Sequence, residues 1–336
     1  MTLEYQPPYP RIPATGLRGR EGHEYVPDDR LLAAANAALA LQMPLLLTGE
    51  AGCGKTDFAW AAAGALAGSD PHEDGTLLEC YVRSDSRAKD LLYTYDAIRR
   101  FGDAQHGGEE GRRRAEDARH YIHLQPLGIA LMSRRLRVVL IDEIDKAPRD
   151  LPNDLLRELD QGHFEIPEIP VEVRTSAEPP VEVGKQSTYR NTMKPPDLKV
   201  RPFVIITSNV ERQLPDPFLR RCVFFHIPFP QESALRKILE SWFLDGAGER
   251  GRPVSGLLDG VIDVFARLRK VPSLTKKPTT SELINWVEAL TTVHGAERAR
   301  AAIERFRADG SDWMSLPAVG CLIKLREDQE RLARSS

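Results

Sequence analysis

The sequence predicts an α/β protein: a parallel sheet covered by helices on both faces, followed by an all-helical domain. Three observations lead there. Five short apolar runs, at 44–48, 77–82, 138–141, 203–209 and 222–227, alternate with stretches of helical character. Strands that read as unbroken apolar runs are those buried on both faces of a parallel sheet. The first run leads into Gly49-Glu50-Ala51-Gly52-Cys53-Gly54-Lys55-Thr56, which opens a helix-prone, Ala-rich stretch. From about Gln231 onward, apolar residues recur only at helical spacing.

The elements follow in order. Residues 1–24 are rich in Pro, Gly and charge and predict an extended leader. A helix begins near Asp28-Asp29, an acidic start before Leu31, Leu32 and an Ala-rich run. The octet Gly49–Thr56 fits G-x-x-x-x-G-K-[ST] between a strand and a helix, the setting of a phosphate-binding loop. Its glycines let successive N–H groups turn inward on an anion, and the helix N-terminus adds partial positive charge. In such a loop Lys55 reaches the β- and γ-phosphates and the Thr56 hydroxyl ligates Mg²⁺. A nucleoside triphosphate is the implied ligand.

Strand 138–141 ends in Asp142-Glu143, and ligands of open α/β sheets bind at the carboxyl ends of the strands. Asp142 is therefore expected to hold Mg²⁺ and Glu143 to polarise the attacking water; a solvated turn before the next helix is the competing reading. Asn209 ends the next strand, where a neutral amide can touch both water and γ-phosphate, or simply form a turn. Arg220-Arg221 precedes the fifth run. An arginine there can neutralise charge in phosphoryl transfer, or it is an exposed basic corner.

Apolar residues 235, 238, 239 and 243, then 257, 261, 264, 265 and 268, then 283, 284, 287 and 290, mark successive helices of the second domain. The expected division is a leader over 1–24, a nucleotide-binding domain over 25–230 and a helical domain over 231–336. Gly102–Asp117 and Val171–Val200 fit neither pattern and are expected as long inserted loops, either functional or simply mobile.

Composition narrows the class. With 336 residues, 41% hydrophobic and 28% charged, the chain can bury a full core as one large domain or two. A net charge of −3 gives no sign of a nucleic-acid-coating surface. No apolar run approaches the ~20 residues of a membrane span, and no signal pattern opens the chain, so a cytoplasmic protein without membrane insertion is expected. Cys53, Cys80, Cys222 and Cys321 are scattered, without zinc spacing, and read as reduced thiols. Oxidation of Cys53, inside the loop, would block nucleotide binding.

Gly49–Thr56, Leu140–Lys146, Ile205–Asn209 and Leu214–Arg221, in that order, resemble the motifs of an AAA+ ATPase, and within that superfamily the chain is similar to the MoxR-like group. The resemblance spans about Tyr25 to the C-terminus. It implies a P-loop core whose five strands lie in the order 5-1-4-3-2, a helical lid, and ATP with Mg²⁺ as cofactors. It also implies a homo-oligomeric ring, usually hexameric, with Asn209 as sensor 1 and Arg221, alternatively Arg220, reaching the neighbour's nucleotide. Tyr25-Val26 falls where similar proteins contact adenine. The lid arginine called sensor 2 is absent: Thr279 stands in its place, with Lys277 nearby as a point charge lacking the planar fork. MoxR-like proteins work on protein clients with a separate von Willebrand A domain partner, and in this group both insertions face the pore or a partner. A nucleic-acid-dependent motor or restriction-like NTPase is the alternative, although no nucleic-acid-binding signature occurs in the chain. A non-hydrolytic nucleotide switch is a third reading, disfavoured by Glu143 and the arginine pair.

Overall fold

The computed structural model describes residues 10–68, 75–169, 192–193, 201–209, 212–244, 254, 256–309 and 312–334. The chain divides into two discontinuous units. One comprises residues 1–11, 33–47 and 66–225, the other residues 12–32, 48–65 and 226–336. The first helix, α1 (Asp29–Leu41), starts at the acidic pair as expected.

The first unit carries the sheet, built from β1 (Leu45–Thr48), β2 (Leu77–Tyr81), β5 (Val138–Asp142), β8 (Phe203–Ser208) and β9 (Val223–His226) in the spatial order β2-β5-β8-β1-β9. Counting only these five, the order is the expected 5-1-4-3-2 read from the other edge, with helices on both faces of a parallel sheet. Register is set by apolar residues: Leu77 faces Val138, and Val138 faces Phe203. Every residue of Leu45–Thr48 and of Phe203–Ser208 is buried, as a sheet covered on both faces requires. Val139, Ile141, Val204 and Ile206 form one core with Leu91 of α3 (Ala88–Leu92), Leu127 and Leu131 of α6 (Pro126–Leu131) and Leu151 and Leu155 of α7 (Leu151–Gln161).

Residues 102–117, expected as a loop, are helical. A short hairpin, β3 (Tyr93–Tyr95) with β4 (Ile122–Leu124), carries α4 (Ala97–His106) and α5 (Gly108–Ala115) between its strands. The physical reason lies in the charges. Asp96 caps α4 by accepting the Arg99 amide, and α5 places Glu109 and Glu110 in its first turn and Arg112, Arg113 and Arg114 in its last. Acid first and base last is the order the helix dipole favours. Packing completes it: the Tyr121 hydroxyl donates to Asp103, and Arg100 donates to the Ala115 carbonyl and the Tyr95 hydroxyl. Of the second insertion, only Thr192–Met193 (β7) is described, paired with β6 (Phe164–Glu165); the rest of Val171–Val200 lies outside the described residues.

The second unit holds the helices α9 (Glu232–Phe243), α10 (Leu258–Lys270), α11 (Thr280–Ala289), α12 (Ala296–Asp309) and α13 (Arg326–Arg334). Their apolar faces meet in one core around Leu239, Phe265, Leu283, Trp286 and Ile303, with the Trp286 indole donating to the Pro317 carbonyl. Asp328, almost wholly buried, accepts the amides of Thr275 and Lys276 and ties α13 to the connection between α10 and α11. The same unit includes α2 (Lys55–Ala67) up to Ala65, and the segment 12–32. That segment turns back rather than running extended, because Ile12 and Leu17 are buried and Arg18 bridges to Glu24. Among the described residues, no helix is long and apolar enough to cross a membrane.

Candidate nucleotide site

The phosphate loop begins where β1 ends. Gly49 has φ 151° and a Cβ there would lie 2.7 Å from the Ile227 carbonyl oxygen. Gly52 has φ 70°, and a side chain there would meet Ser281 and Thr279 within 3.1 Å. Only glycine satisfies both demands, a positive φ and a close neighbour. Lys55 opens α2 as a buried cation, its ammonium donating to the carbonyls of Gly49 and Glu50 at 2.9 Å each. Thr56 follows it in the first turn. Burial pushes the Cys53 thiol above its ordinary range, against the pull of Lys55.

Tyr25 lies against Gly54, 3.4 Å from where a Cβ would stand, and its ring meets Phe58 at 5.8 Å. Burial pushes its phenol well up, with Asp57 adding to the effect. The expected adenine contact is thus a residue seated on the loop's own helix. Beside it, His23 Nε2 bonds the Asp57 carboxylate at 2.9 Å and its ring stacks on Trp242.

Thr279, which stands where the resemblance leads one to expect the lid arginine, caps α11: its hydroxyl accepts the Glu282 amide while the Glu282 carboxylate accepts the Thr279 amide. Lys277 is exposed. The helical region's cation that meets the loop is instead Arg269, on α10, which donates to both Glu50 carboxylate oxygens at 3.2 and 2.9 Å. Nothing in the sequence marks it, since a basic last turn is ordinary for a helix.

In the first unit, the carboxylates at the end of β5 sit in a network. Thr207, fully buried in β8, donates its hydroxyl to Asp142 Oδ1 at 2.5 Å and accepts the Glu143 amide at 2.9 Å. Glu143 holds left-handed backbone angles, φ 57° and ψ 50°. That conformation is uncommon for a residue with a side chain and is tolerated where surroundings over-determine it. The Glu143 carboxylate accepts Asn209 Nδ2 at 3.1 Å through one oxygen and pairs with Lys146 at 2.5 Å through the other. Asn209 is itself placed by Asp145, a buried carboxylate that accepts the Asn209 amide at 3.1 Å. Asp142, Glu143 and Asn209 thus come together as expected, held by Thr207 and Asp145. A threonine inside a strand reads only as a β-former, which is why its role was not legible.

Arg220 and Arg221 follow α8 (Asp216–Leu219), and both are exposed. Arg221 Nε pairs with Asp160 at 2.7 Å, with both side chains about half exposed. Neither arginine belongs to the Asp142 network.

The donor set fits the implied ligands. Glycines that leave room for an anion, a buried lysine and a helix N-terminus suit phosphate. A hydroxyl and a carboxylate are hard oxygen donors of the kind Mg²⁺ takes. A parallel five-stranded α/β sheet with this loop after its first strand defines a P-loop nucleotide-binding protein. More narrowly, residues 44–222 match the AAA domain of the dynein-related subfamily, and the chain belongs to that family. It is an ATP hydrolase. No curated protein matches the chain. Among solved structures it is similar to a RuvB variant of Thermotoga maritima, at 14% identity and TM-score 0.44 over 91% of this chain and 76% of that one. It is also similar to Hsp104 in a closed state with ATPγS and FITC-casein, at 16% identity and TM-score 0.43. That match covers 84% of this chain and 46% of the Hsp104 chain.

Proposed function

We propose that this chain is a MoxR-like AAA+ ATPase whose homo-oligomeric ring, hexameric in its working form, hydrolyses ATP to remodel or mature a protein client, with a separate von Willebrand A domain protein as partner. The observation that carries the hydrolytic part is the Asp142–Thr207–Glu143–Asn209 network, which holds two carboxylates and an amide in fixed relation at the end of β5. In this reading residues 25–230 form the nucleotide-binding domain and 231–336 the lid, and the protein works in the cytoplasm.

Loop amides of Gly49, Glu50, Ala51, Gly52, Cys53 and Gly54, with Lys55, hold the phosphates, and Thr56 and Asp142 hold Mg²⁺. When bound, Mg²⁺ supplies neutralising charge at the β- and γ-oxygens. Glu143 orients and deprotonates the attacking water. In the described geometry both of its oxygens are engaged, by Asn209 Nδ2 and by Lys146 Nζ. One must be released, and Lys146, the more exposed partner, is the one that yields. Asn209 then keeps the carboxylate aimed. Arg221, with Arg220 as the alternative, leaves its surface pair with Asp160 to reach the neighbouring subunit's nucleotide; an exposed pair worth about 0–1 kcal/mol is cheaply given up.

Client contact is assigned to the inserted segments. Ile98 and Phe101 of α4 are 87% and 66% exposed, an apolar pair left in water at one end of the hairpin insertion. Steady-state ATPase per subunit over a wide dilution series tests the oligomeric site. A specific rate that collapses on dilution supports a shared site. A constant rate, with a mass measurement showing monomers at the lowest concentration, would refute it.

A further inference from the structure

The phosphate loop contains a charge that works against its own ligand. Glu50 is the second residue of the octet, and its backbone carbonyl already accepts the Lys55 ammonium. Its side-chain carboxylate stands in a loop whose proposed ligand is a polyphosphate, so an uncompensated charge there opposes binding through space. The structure compensates it from 219 positions away in sequence. Arg269, in the last turn of α10, meets the Glu50 carboxylate at 2.9 and 3.2 Å, and its side chain is only 13% exposed. The guanidinium is fixed on two further sides: it also donates to the Pro278 carbonyl, and it lies 3.4 Å over the Phe229 ring. Both carboxylate contacts come from Nη2, while Nη1 serves Pro278; a planar group that stacks on a ring and donates in two directions at once is a geometry that lysine cannot reproduce.

Position adds to the argument. Pro278 immediately precedes Thr279, the cap of α11, and Thr279 and Ser281 rest against Gly52 of the same loop. Arg269 therefore ties together the loop, the residue before the α11 cap and the aromatic residue that follows β9. The sequence offers no arginine at position 279, and the exposed Lys277 makes no such contact with the loop among the described residues.

We infer that Arg269 is a positioning residue for nucleotide: it neutralises Glu50 and couples the helical region to the phosphate loop in place of the missing arginine at the start of α11. The inference rests on the reading of Gly49–Thr56 as the ATP-binding loop. Its test is a charge cycle on the full-length protein, read by equilibrium binding of a fluorescent ATP analogue and by thermal unfolding. Arg269→Ala should weaken analogue binding about tenfold, the order expected for one unscreened like charge near a polyanion. Adding Glu50→Gln to that variant should bring affinity back to within about threefold of wild type, because the opposing charge is then gone. Arg269→Lys keeps a cation and should lose less affinity than Arg269→Ala, even if truncation harms folding. Loss of affinity in Arg269→Ala that Glu50→Gln does not relieve would overturn the inference, leaving Arg269 as a packing residue on Phe229 and Pro278. Wild-type affinity in Arg269→Ala would overturn it as well. Failure of the wild type to bind, or unchanged binding by Lys55→Ala, would instead overturn the loop reading underneath.

Discussion

Replacing Thr207 with valine tests whether the carboxylates depend on a neighbour that looks merely structural. The hydroxyl is fully buried, donates to Asp142 at 2.5 Å and accepts the Glu143 amide at 2.9 Å. Valine keeps the shape and removes both bonds. A hydrogen bond to a charged acceptor is worth about 1.5–3 kcal/mol, and an amide stripped of its buried partner costs about 1–3 kcal/mol. Relaxation and water entry return part of this, so a destabilisation of about 2–4 kcal/mol is expected. At roughly 2–4 °C per kcal/mol for a domain of this size, Tm should fall by about 5–15 °C. Catalysis should suffer beyond stability, because Thr207 sets the angle between Asp142 and Glu143. A misplacement of order 1 Å costs about a hundredfold. The assay is steady-state ATPase well below the new Tm, with ATP affinity measured separately. Thr207→Val should lose about 30–100-fold in kcat and about threefold or less in affinity, and Thr207→Ser should recover most of the rate. A valine variant within threefold of wild-type kcat, or a serine variant as impaired as valine, would refute the reasoning.

Further outcomes follow from the same geometry. Glu143→Gln should bind ATP yet turn over at least a hundredfold more slowly, as measured by single-turnover hydrolysis, because an amide cannot take the water's proton. Arg221→Ala should fold and bind ATP with little change but lose about 10³-fold or more in turnover. Mixing it with Glu143→Gln subunits should restore some activity if the arginine acts across an interface, and no restoration would count against that. Burial works to raise the Asp328 carboxyl, but the Thr275 and Lys276 amides and the Arg331 guanidinium outweigh it and hold it below its usual range. A carboxyl lowered in the folded state stabilises above its unfolded pKa, near 4, and that contribution fades as pH falls through the folded value. Asp328→Asn should therefore destabilise the protein at neutral pH and flatten the acid limb of its stability profile, followed by denaturant unfolding from pH 7 to pH 3.

Much of the architecture was legible because burial on both faces leaves a simple signature. The five runs that became strands are mostly apolar, and their ends moved by no more than a residue or two. Asp142, Glu143 and Asn209 were legible because each is a polar residue stopping such a run. The misreading at 102–117 came from Gly107, Gly108 and a dense set of charges, which together resemble a loop. What sequence inspection missed was the sign order of those charges along the chain and the hairpin beneath them. Thr207 and Asp145 were hidden for different reasons. Thr207 has the residue type of any strand, whereas Asp145 is one more acid in an acidic turn. Arg269 escaped because its partner is set by tertiary contact, and no local pattern at the end of α10 points to residue 50.

The pairing of Glu50 with Arg269 has a consequence for biosynthesis. Residues 48–65 belong to a unit most of whose mass lies after residue 226. On a ribosome adding about 5–20 residues per second, the loop emerges roughly 10–45 s before the arginine that compensates it. During that interval the loop lacks the Thr279 and Ser281 contacts around Gly52, while residues 33–47 and 66–225 can already assemble the sheet. Nascent chains stalled before residue 269 should thus acquire a protease-resistant sheet first and nucleotide-dependent protection of the loop only afterwards. With the ligand-binding turn completed late, the capture of nucleotide is delayed until the helical region has been made.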